Sequence, residues 1–129
     1  MNLSRRVEMG LEIVDVENHG DLSTEKITLR ATSNNVNIWN YLLTDTTYRG
    51  DGSISNKLRH VFDFDCLDAI ILNSGDYVVL YTGKGTDQIV ENSGAKIYII
   101  HWGLNETIWN KDGDKAFLIK AESRIKKAV

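Results

Sequence analysis

Short segments rich in β-branched and aromatic residues recur along the chain, and clusters of Gly, Asn, Asp and Ser separate them. The clearest segment is EKITLRAT, 25–32, where Ile27, Leu29 and Ala31 alternate with polar residues, as in a strand that buries one face. Comparable strand patterns cover 11–18 (with a bulge or a cover), 36–45, 57–66, 73–83 (a turn and then a strand), 95–102, 114–121 and 124–128. No stretch of about a dozen residues shows the 3.6-residue period of a helix. The sequence therefore predicts an all-β fold, an antiparallel β-sandwich of about seven to nine strands.

The length and composition indicate one globular domain. The chain has 129 residues, of which 42% are hydrophobic and 26% are charged. We predict a folded domain over 11–129, preceded by a flexible lead over 1–10. No apolar run has the length of a membrane span, and the first residues lack the apolar core of a signal peptide. The cellular compartment stays open.

The charge balance bears on the class of partner. The formal net charge is −3, which disfavours a general nucleic-acid binder but leaves room for a local basic patch. The chain has no proline, a residue that often blocks pairing at sheet edges. We therefore expect charged residues to protect the edges, and Lys57, Arg59, Lys126 and Lys127 are placed to do so.

The sequence contains no recognisable catalytic set. Cys66 is the only cysteine, which excludes an internal disulfide, and its place in an apolar strand predicts a buried, inert thiol. The segment GKGT, 83–86, lacks the earlier glycine of a phosphate loop, because Val78 occupies that place, and is predicted to be a turn. No serine or threonine lies in a nucleophile elbow. We therefore predict a protein that is not an enzyme and that has no cofactor.

Four aspartates are weak candidates for a metal site. Asp63 and Asp65 share one face of a predicted strand, near His60 and Asp68, and a solvated strand face is the alternative. Asp112 and Asp114 flank Gly113, and the dipeptide Asp112-Gly113 is typical of a tight hairpin. The three histidines, His19, His60 and His101, do not have the spacing of zinc ligands.

Four motifs in the right order resemble a known family. They are EKITLRATSNN, IWNYLLTD, ILNSGDYVVLYTGKG and IWNKDGDKAFLIKA. Together they resemble the lamin tail domain, the immunoglobulin-like module of nuclear lamins that also occurs in many bacterial proteins. The resemblance covers about Leu11 to Ala128, with Tyr41 where the family usually has Trp, and with a turn at 121–123 that lacks the usual Gly. It implies an immunoglobulin-like sandwich that serves as a non-catalytic binding or assembly module.

Three hypotheses of function follow, and the first is a protein-interaction module. Trp102 and Trp109 are predicted to pack in the core, with an exposed partner anchor as the alternative. Arg49-Gly50-Asp51 lies in the predicted long loop 46–56. The candidate partner-binding residues are Trp102, Trp109, Arg59, Lys84, Lys126 and Lys127. The second hypothesis is a DNA-targeting module whose phosphate contacts are Lys57, Arg59, Lys84, Arg124, Lys126 and Lys127. The third is a metal-dependent enzyme or binder, or an enzyme accessory domain, built on the four aspartates.

Overall fold

The computed structural model describes residues 8–48, 54–109, 115–121 and 123–129, with only the backbone described at 46–48 and 54–59. Ten strands occur in this part of the chain. They are β1 (Leu11–Glu17), β2 (Lys26–Ala31), β3 (Val36–Asn37), β4 (Tyr41–Tyr48), β5 (Ile54–Asp63), β6 (Ile71–Leu72), β7 (Tyr77–Tyr81), β8 (Gln88–Asn92), β9 (Ala95–His101) and β10 (Lys115–Lys120). Two short 3₁₀ turns, Ile38–Asn40 and Phe64–Cys66, interrupt them.

The strands form two main sheets and one short pair. The larger sheet has the order β1-β2-β7-β9-β8, the smaller sheet has the order β10-β4-β5, and β3 pairs with β6. Every pair is antiparallel except β7 with β9, which is parallel. The prediction of an all-β sandwich is confirmed, and the one parallel pair is its departure from a fully antiparallel arrangement.

Alternating side chains from both sheets meet in one core. Leu29, Val78 and Ile100 of the larger sheet and Leu43 and Phe62 of the smaller sheet are buried in the same cluster. Burying one such side chain stabilises the fold by about 1.5–3 kcal/mol. The period-2 alternation that predicted β2 is therefore the alternation that fills the space between the sheets.

Two short side-chain caps, one from an asparagine and one from an aspartate, interrupt strands that the sequence predicts as continuous. The Asn37 side chain accepts a hydrogen bond from the Trp39 backbone N–H, and the 3₁₀ turn that follows separates β3 from β4. Likewise, Asp63 accepts from the Asp65 N–H at 2.9 Å and ends β5. Such local bonds compete with the strand ladder, which alternation alone does not reveal.

The second cap also corrects the prediction for Cys66. The cysteine lies in the 3₁₀ turn after β5 and is exposed, so the prediction of a core position within a strand is wrong. Phe64, the first residue of the same 3₁₀ turn, takes the buried position.

Other strand predictions had mixed outcomes. Of the two alternatives predicted for 11–18, a strand with a bulge or a covered strand, the structure has the bulge, because the register shifts between Ile13 and Asp15. Residues 124–128, predicted as a strand, are not a strand. The turn predicted at 121–123 includes Glu122, which lies outside the described residues. The predicted loop 46–56 overlaps two strands, since β4 continues to Tyr48 and β5 begins at Ile54. Residues 49–53 lie outside the described residues. The strand β8 was not predicted.

No helix in the described part of the chain is long and apolar enough to cross a membrane. Met9 and Gly10, in the predicted lead, contact both main sheets: the Met9 carbonyl accepts from the hydroxyl of Tyr41 in β4, and the Gly10 carbonyl accepts from the N–H of Thr32, directly after β2.

Candidate functional site

The strand β8 forms one outer edge of the larger sheet, and all five of its residues are exposed. Ile89 pairs with Tyr98 of β9, so both side chains lie on the same face of the sheet. Tyr98 is buried in the core, whereas Ile89 is 62% exposed. The core-facing side of the sheet is therefore uncovered where it reaches β8.

An open cleft of about 620 Å³ lies beside this edge. One wall is formed by β8 and β9, and the other by the chain between the 3₁₀ turn and β6. Its described lining residues are Cys66, Leu67, Asp68, Ala69, Ile70, Ile71, Asp87, Gln88, Ile89, Tyr98, Ile99 and Ile100. The volume is in the range of sites that bind ligands, and most of the lining is apolar.

Hydrogen bonds from outside the cleft hold the second wall in place. The indole N–H of Trp39 donates to the Leu67 carbonyl at 2.8 Å, and the Ile38 N–H donates to the Ile70 carbonyl at 3.1 Å. The pairing of β6 with β3 then fixes Ile71, which is 50% exposed. The wall is therefore anchored to the sandwich at three successive points.

The cleft is negatively charged. Asp68 and Asp87 line it, and the described lining residues include no Lys, Arg or His. The pKa of the Cys66 thiol is raised above the ordinary value, first by desolvation and then by the charges of Asp63 and Asp65, beside the cleft, and of Asp87, which lines it. A ligand with a positive charge would relieve this field.

Asp87 is held at the start of β8 by His101. Its Oδ1 accepts a hydrogen bond from the His101 backbone N–H at 2.8 Å and lies 3.0 Å from Nδ1 of the ring. The ring stacks on Tyr81 at 5.2 Å and lies against Gly85, where a Cβ would be 2.3 Å from Nε2. Gly85 is thus required for this packing. Both contacts use Oδ1, and Asp87 remains about half exposed, facing the cleft.

A second histidine pair repeats this geometry elsewhere. Buried Asp45 accepts from the His60 N–H at 2.8 Å and lies 3.2 Å from its Nδ1. Neither residue lines the cleft. In both pairs the carboxylate joins a backbone amide to the ring of the same histidine, which positions a strand.

Glu25 is a third buried carboxylate, and its contacts are structural. It accepts hydrogen bonds from the Gly20 N–H at 3.0 Å, the Thr82 hydroxyl at 2.5 Å and the Ile108 N–H at 3.0 Å. These bonds join three separate segments of the chain, so the carboxylate is satisfied where it lies.

The candidate metal ligands Asp63 and Asp65 come together but bind cations of the protein. Asp63 Oδ2 lies 2.7 Å from an Arg124 nitrogen, and Asp65 pairs with Lys126 and, at 3.8 Å, with Arg124. The pKa of Asp65 is lowered, first by its hydrogen bond from Lys126. No group of three His, Cys, Asp or Glu in the described residues is arranged to hold a metal ion. Asp112 and Asp114 lie outside the described residues, as do Gly113 and Arg49-Gly50-Asp51.

The candidate phosphate contacts differ in their described surroundings. Arg124 and Lys126 are paired with carboxylates, and Arg124 also donates to the Trp39 carbonyl at 3.0 Å. Lys84 and Lys127 are exposed, and the side chains of Lys57 and Arg59 lie outside the described residues. The basic patch stays a prediction.

The tryptophans differ in burial. Trp109 is 4% exposed and lies in the core, whereas Trp102 is half-buried and packs edge-to-face on Phe62 at 5.3 Å. Trp39, which the sequence did not single out as a site residue, is more exposed than Trp109, and its indole supports the cleft wall.

Sequence reasoning missed β8 and Ile89. The signal that could have found them is Ser93-Gly94, which separates QIVEN from the clear strand AKIYIIH and has the length of a tight hairpin loop. Nothing in that pattern, however, shows that the core face is uncovered beside β8. That is a property of the packing of the two sheets.

Comparisons with known proteins found no match to any family model, to any curated protein or to any solved structure. The resemblance to lamin tail domains therefore stays a prediction.

Proposed function

We propose that this chain is a non-catalytic protein-interaction module that binds its partner at the cleft beside β8. One observation carries the proposal: the core-side residue Ile89 is 62% exposed at an outer edge of the larger sheet. Exposed apolar surface next to an unpaired strand typically marks an interaction site in a soluble domain.

The shape of the cleft favours a polypeptide over a small molecule. The cleft is open along the edge strand, and Ile71 and Ile89 face it from opposite walls. Such an open and mostly apolar surface provides many side-chain contacts but few convergent polar groups, which small-molecule sites use to fix orientation. The resemblance to lamin tail domains supports the same class of function, because it implies a binding or assembly module. An immunoglobulin-like, lamin-tail type of sandwich is part of this proposal.

Site-specific photo-crosslinking in cells that express the chain tests the proposal. A photoreactive amino acid is placed at position 89 and, in a second variant, at position 71. The matched control is position 14, because Val14 lies in the opposite edge strand and is 46% exposed. We expect adducts of the same defined mass from positions 89 and 71 and none of that mass from position 14.

The partner identified by mass spectrometry is then purified and tested for binding to the full chain. Ile89→Asp is expected to weaken this binding at least tenfold, about 1.4 kcal/mol, without changing the thermal midpoint by more than about 2 °C. Equal adducts at position 14, or no adduct at position 89, would contradict the proposal.

A further inference from the structure

We infer that the partner segment binds as an added strand: it is an extended peptide of apolar side chains and at least one Lys or Arg. It pairs with the outer edge of β8, with which no strand of the described residues pairs. This inference rests on the proposed function and specifies the form and chemistry of the partner.

Backbone contacts of β9 establish which groups of β8 are free. The His101 N–H bonds to Asp87 at the start of β8, whereas the N–H groups of Lys96 and Trp102 bond to Asp76 and Tyr81, beside β7. Because directions alternate along a strand, the odd-numbered residues of β9 direct their N–H groups towards β8. Ile97 and Ile99 therefore form the hydrogen-bonded pairs.

The partners of these two residues are Val90 and Gln88. It follows that Ile89 and Glu91 direct their N–H and C=O groups away from β9, to the outer edge. The hairpin loop supports this assignment. Ser93 and Gly94 both have positive φ, as in a type I′ turn, and such a two-residue loop closes on a hydrogen-bonded pair, here Asn92 with Ala95. Counting back by two from Asn92 again gives Val90 and Gln88.

An added strand would use these groups and also fill the cleft. Strand addition obtains its affinity from main-chain hydrogen bonds and its specificity from alternate side chains. Side chains of the added strand that lie on the same face as Ile89 would enter the cleft between Ile89 and Ile71. Apolar residues suit these positions, since the cleft walls are apolar.

The charge of the cleft selects the partner. Asp68 and Asp87 line it with no described cation among the lining residues, so a Lys or Arg of the partner gains an attraction that an acidic segment would lose. A second copy of this chain is disfavoured by the same argument. Its β8 would bring Glu91 and, at its start, Asp87, and thus further negative charge.

A random 12-residue peptide library displayed on phage is the probe. It is selected on the full chain after depletion on the Ile89→Asp variant. We expect enriched peptides that alternate β-branched or aromatic residues with polar ones and that carry Lys or Arg. Enrichment of acidic peptides, or no enrichment over the depleted background, would overturn the inference.

Amide hydrogen exchange with one selected synthetic peptide tests the mode of binding. In the free chain we expect fast exchange at Ile89 and Glu91 and slower exchange at Gln88 and Val90. Strand addition slows Ile89 and Glu91 at least tenfold and leaves the other two little changed. Binding that leaves Ile89 and Glu91 fast would overturn strand addition while the crosslinking result still supports the interaction module.

A matched pair of substitutions adds a second test. Glu91→Pro removes an N–H from the outer edge, whereas Glu91→Ala keeps it, and both remove the same charge. We expect the proline variant to bind the peptide at least tenfold more weakly than the alanine variant. Asp68→Asn should weaken binding severalfold and flatten its dependence on salt. Sedimentation of the free chain tests the rival occupant: a concentration-dependent dimer that Glu91→Pro abolishes would show a second copy on this edge and overturn the inferred partner.

Discussion

The two outer strands of the larger sheet manage their free edges differently. In β1 the register shifts between Ile13 and Asp15, and the side chain of Glu12 accepts a hydrogen bond from Arg30 Nε at 2.8 Å. By contrast, β8 pairs with β9 without a register shift, carries one charged residue, Glu91, and exposes Ile89 and Val90. One edge is bent and charged, and the other is regular and apolar.

This difference supports the proposed binding surface at β8. Bulges and charges are the devices by which sheets prevent edge-to-edge association, and β1 has both. The sequence has no proline with which to block β8, and Lys126, one of the lysines expected to protect a sheet edge, pairs with Asp65 after β5. A regular apolar edge beside an open cleft would promote aggregation in a domain that has no partner. We therefore interpret it as a binding surface.

The largest effect is expected from Val90→Pro, which tests the direction of the backbone groups in β8. Proline at this position has no N–H to donate to Ile97, so the Ile97 carbonyl is left unpaired. This loss should lower the free energy of unfolding by about 2 kcal/mol. Glu91→Pro removes only an outward N–H and should cost less than about 1 kcal/mol. Thermal unfolding of the two variants measures the difference. Equal losses would contradict the assignment of the free edge.

A smaller effect on stability but a clear effect on binding is expected from Ile89→Asp. The side chain is mostly exposed, so the free energy of unfolding should change by less than about 0.5 kcal/mol. Binding of the crosslinked partner should weaken by about 1.4 kcal/mol or more, because a carboxylate would enter an apolar and already negative cleft. Isothermal titration measures the affinity, with Val14→Asp on β1 as the matched control. An equal loss in the control would remove the distinction between the two edges.

Sequence patterns predicted the sheets better than they predicted this site. Alternation in EKITLRAT identified β2 because burial of one face imposes the period directly. The side chains of Asn37 and Asp63 ended two strands through local bonds that alternation does not encode, and Cys66 became exposed as a result. Ile89 looks like any apolar strand residue in the sequence. Its exposure depends on where the second sheet ends, which is a tertiary property.

An effect of intermediate size is expected on the rate at which Cys66 is alkylated. Because Cys66 lines the cleft, this rate measures the charge and the solvent access of the cleft. Since desolvation and nearby carboxylates raise the pKa of the thiol, less thiolate is present at neutral pH than in an ordinary cysteine, and alkylation should be slow. Its rate should increase with pH through a midpoint above the usual cysteine range. Of the three carboxylates that raise the pKa of Cys66, Asp63 has the largest effect. Asp63→Asn should therefore lower this pKa and speed alkylation a few-fold at pH 7.5.

Iodoacetamide labelling of the only cysteine, followed by mass spectrometry, measures these rates. A bound partner should also slow labelling, because Cys66 lines the cleft. Glu17→Gln, on β1, is the control and should leave the rate unchanged. Faster labelling than that of a free cysteine would contradict a negative, partly desolvated cleft.

The smallest effect is expected on the protected edge itself. Glu12→Gln removes the ion pair with Arg30, both members of which are well exposed, so the free energy of unfolding should hardly change. The register shift in β1 remains, and it prevents a regular ladder with an added strand regardless of charge. Sedimentation should therefore show the same state of association for Glu12→Gln as for the parent chain. If this one substitution caused association through β1, then the charge of Glu12, and not the bulge, would be what protects that edge. The lack of protection at β8 would then result from its having a single charged residue, Glu91, rather than from its regular pairing with β9.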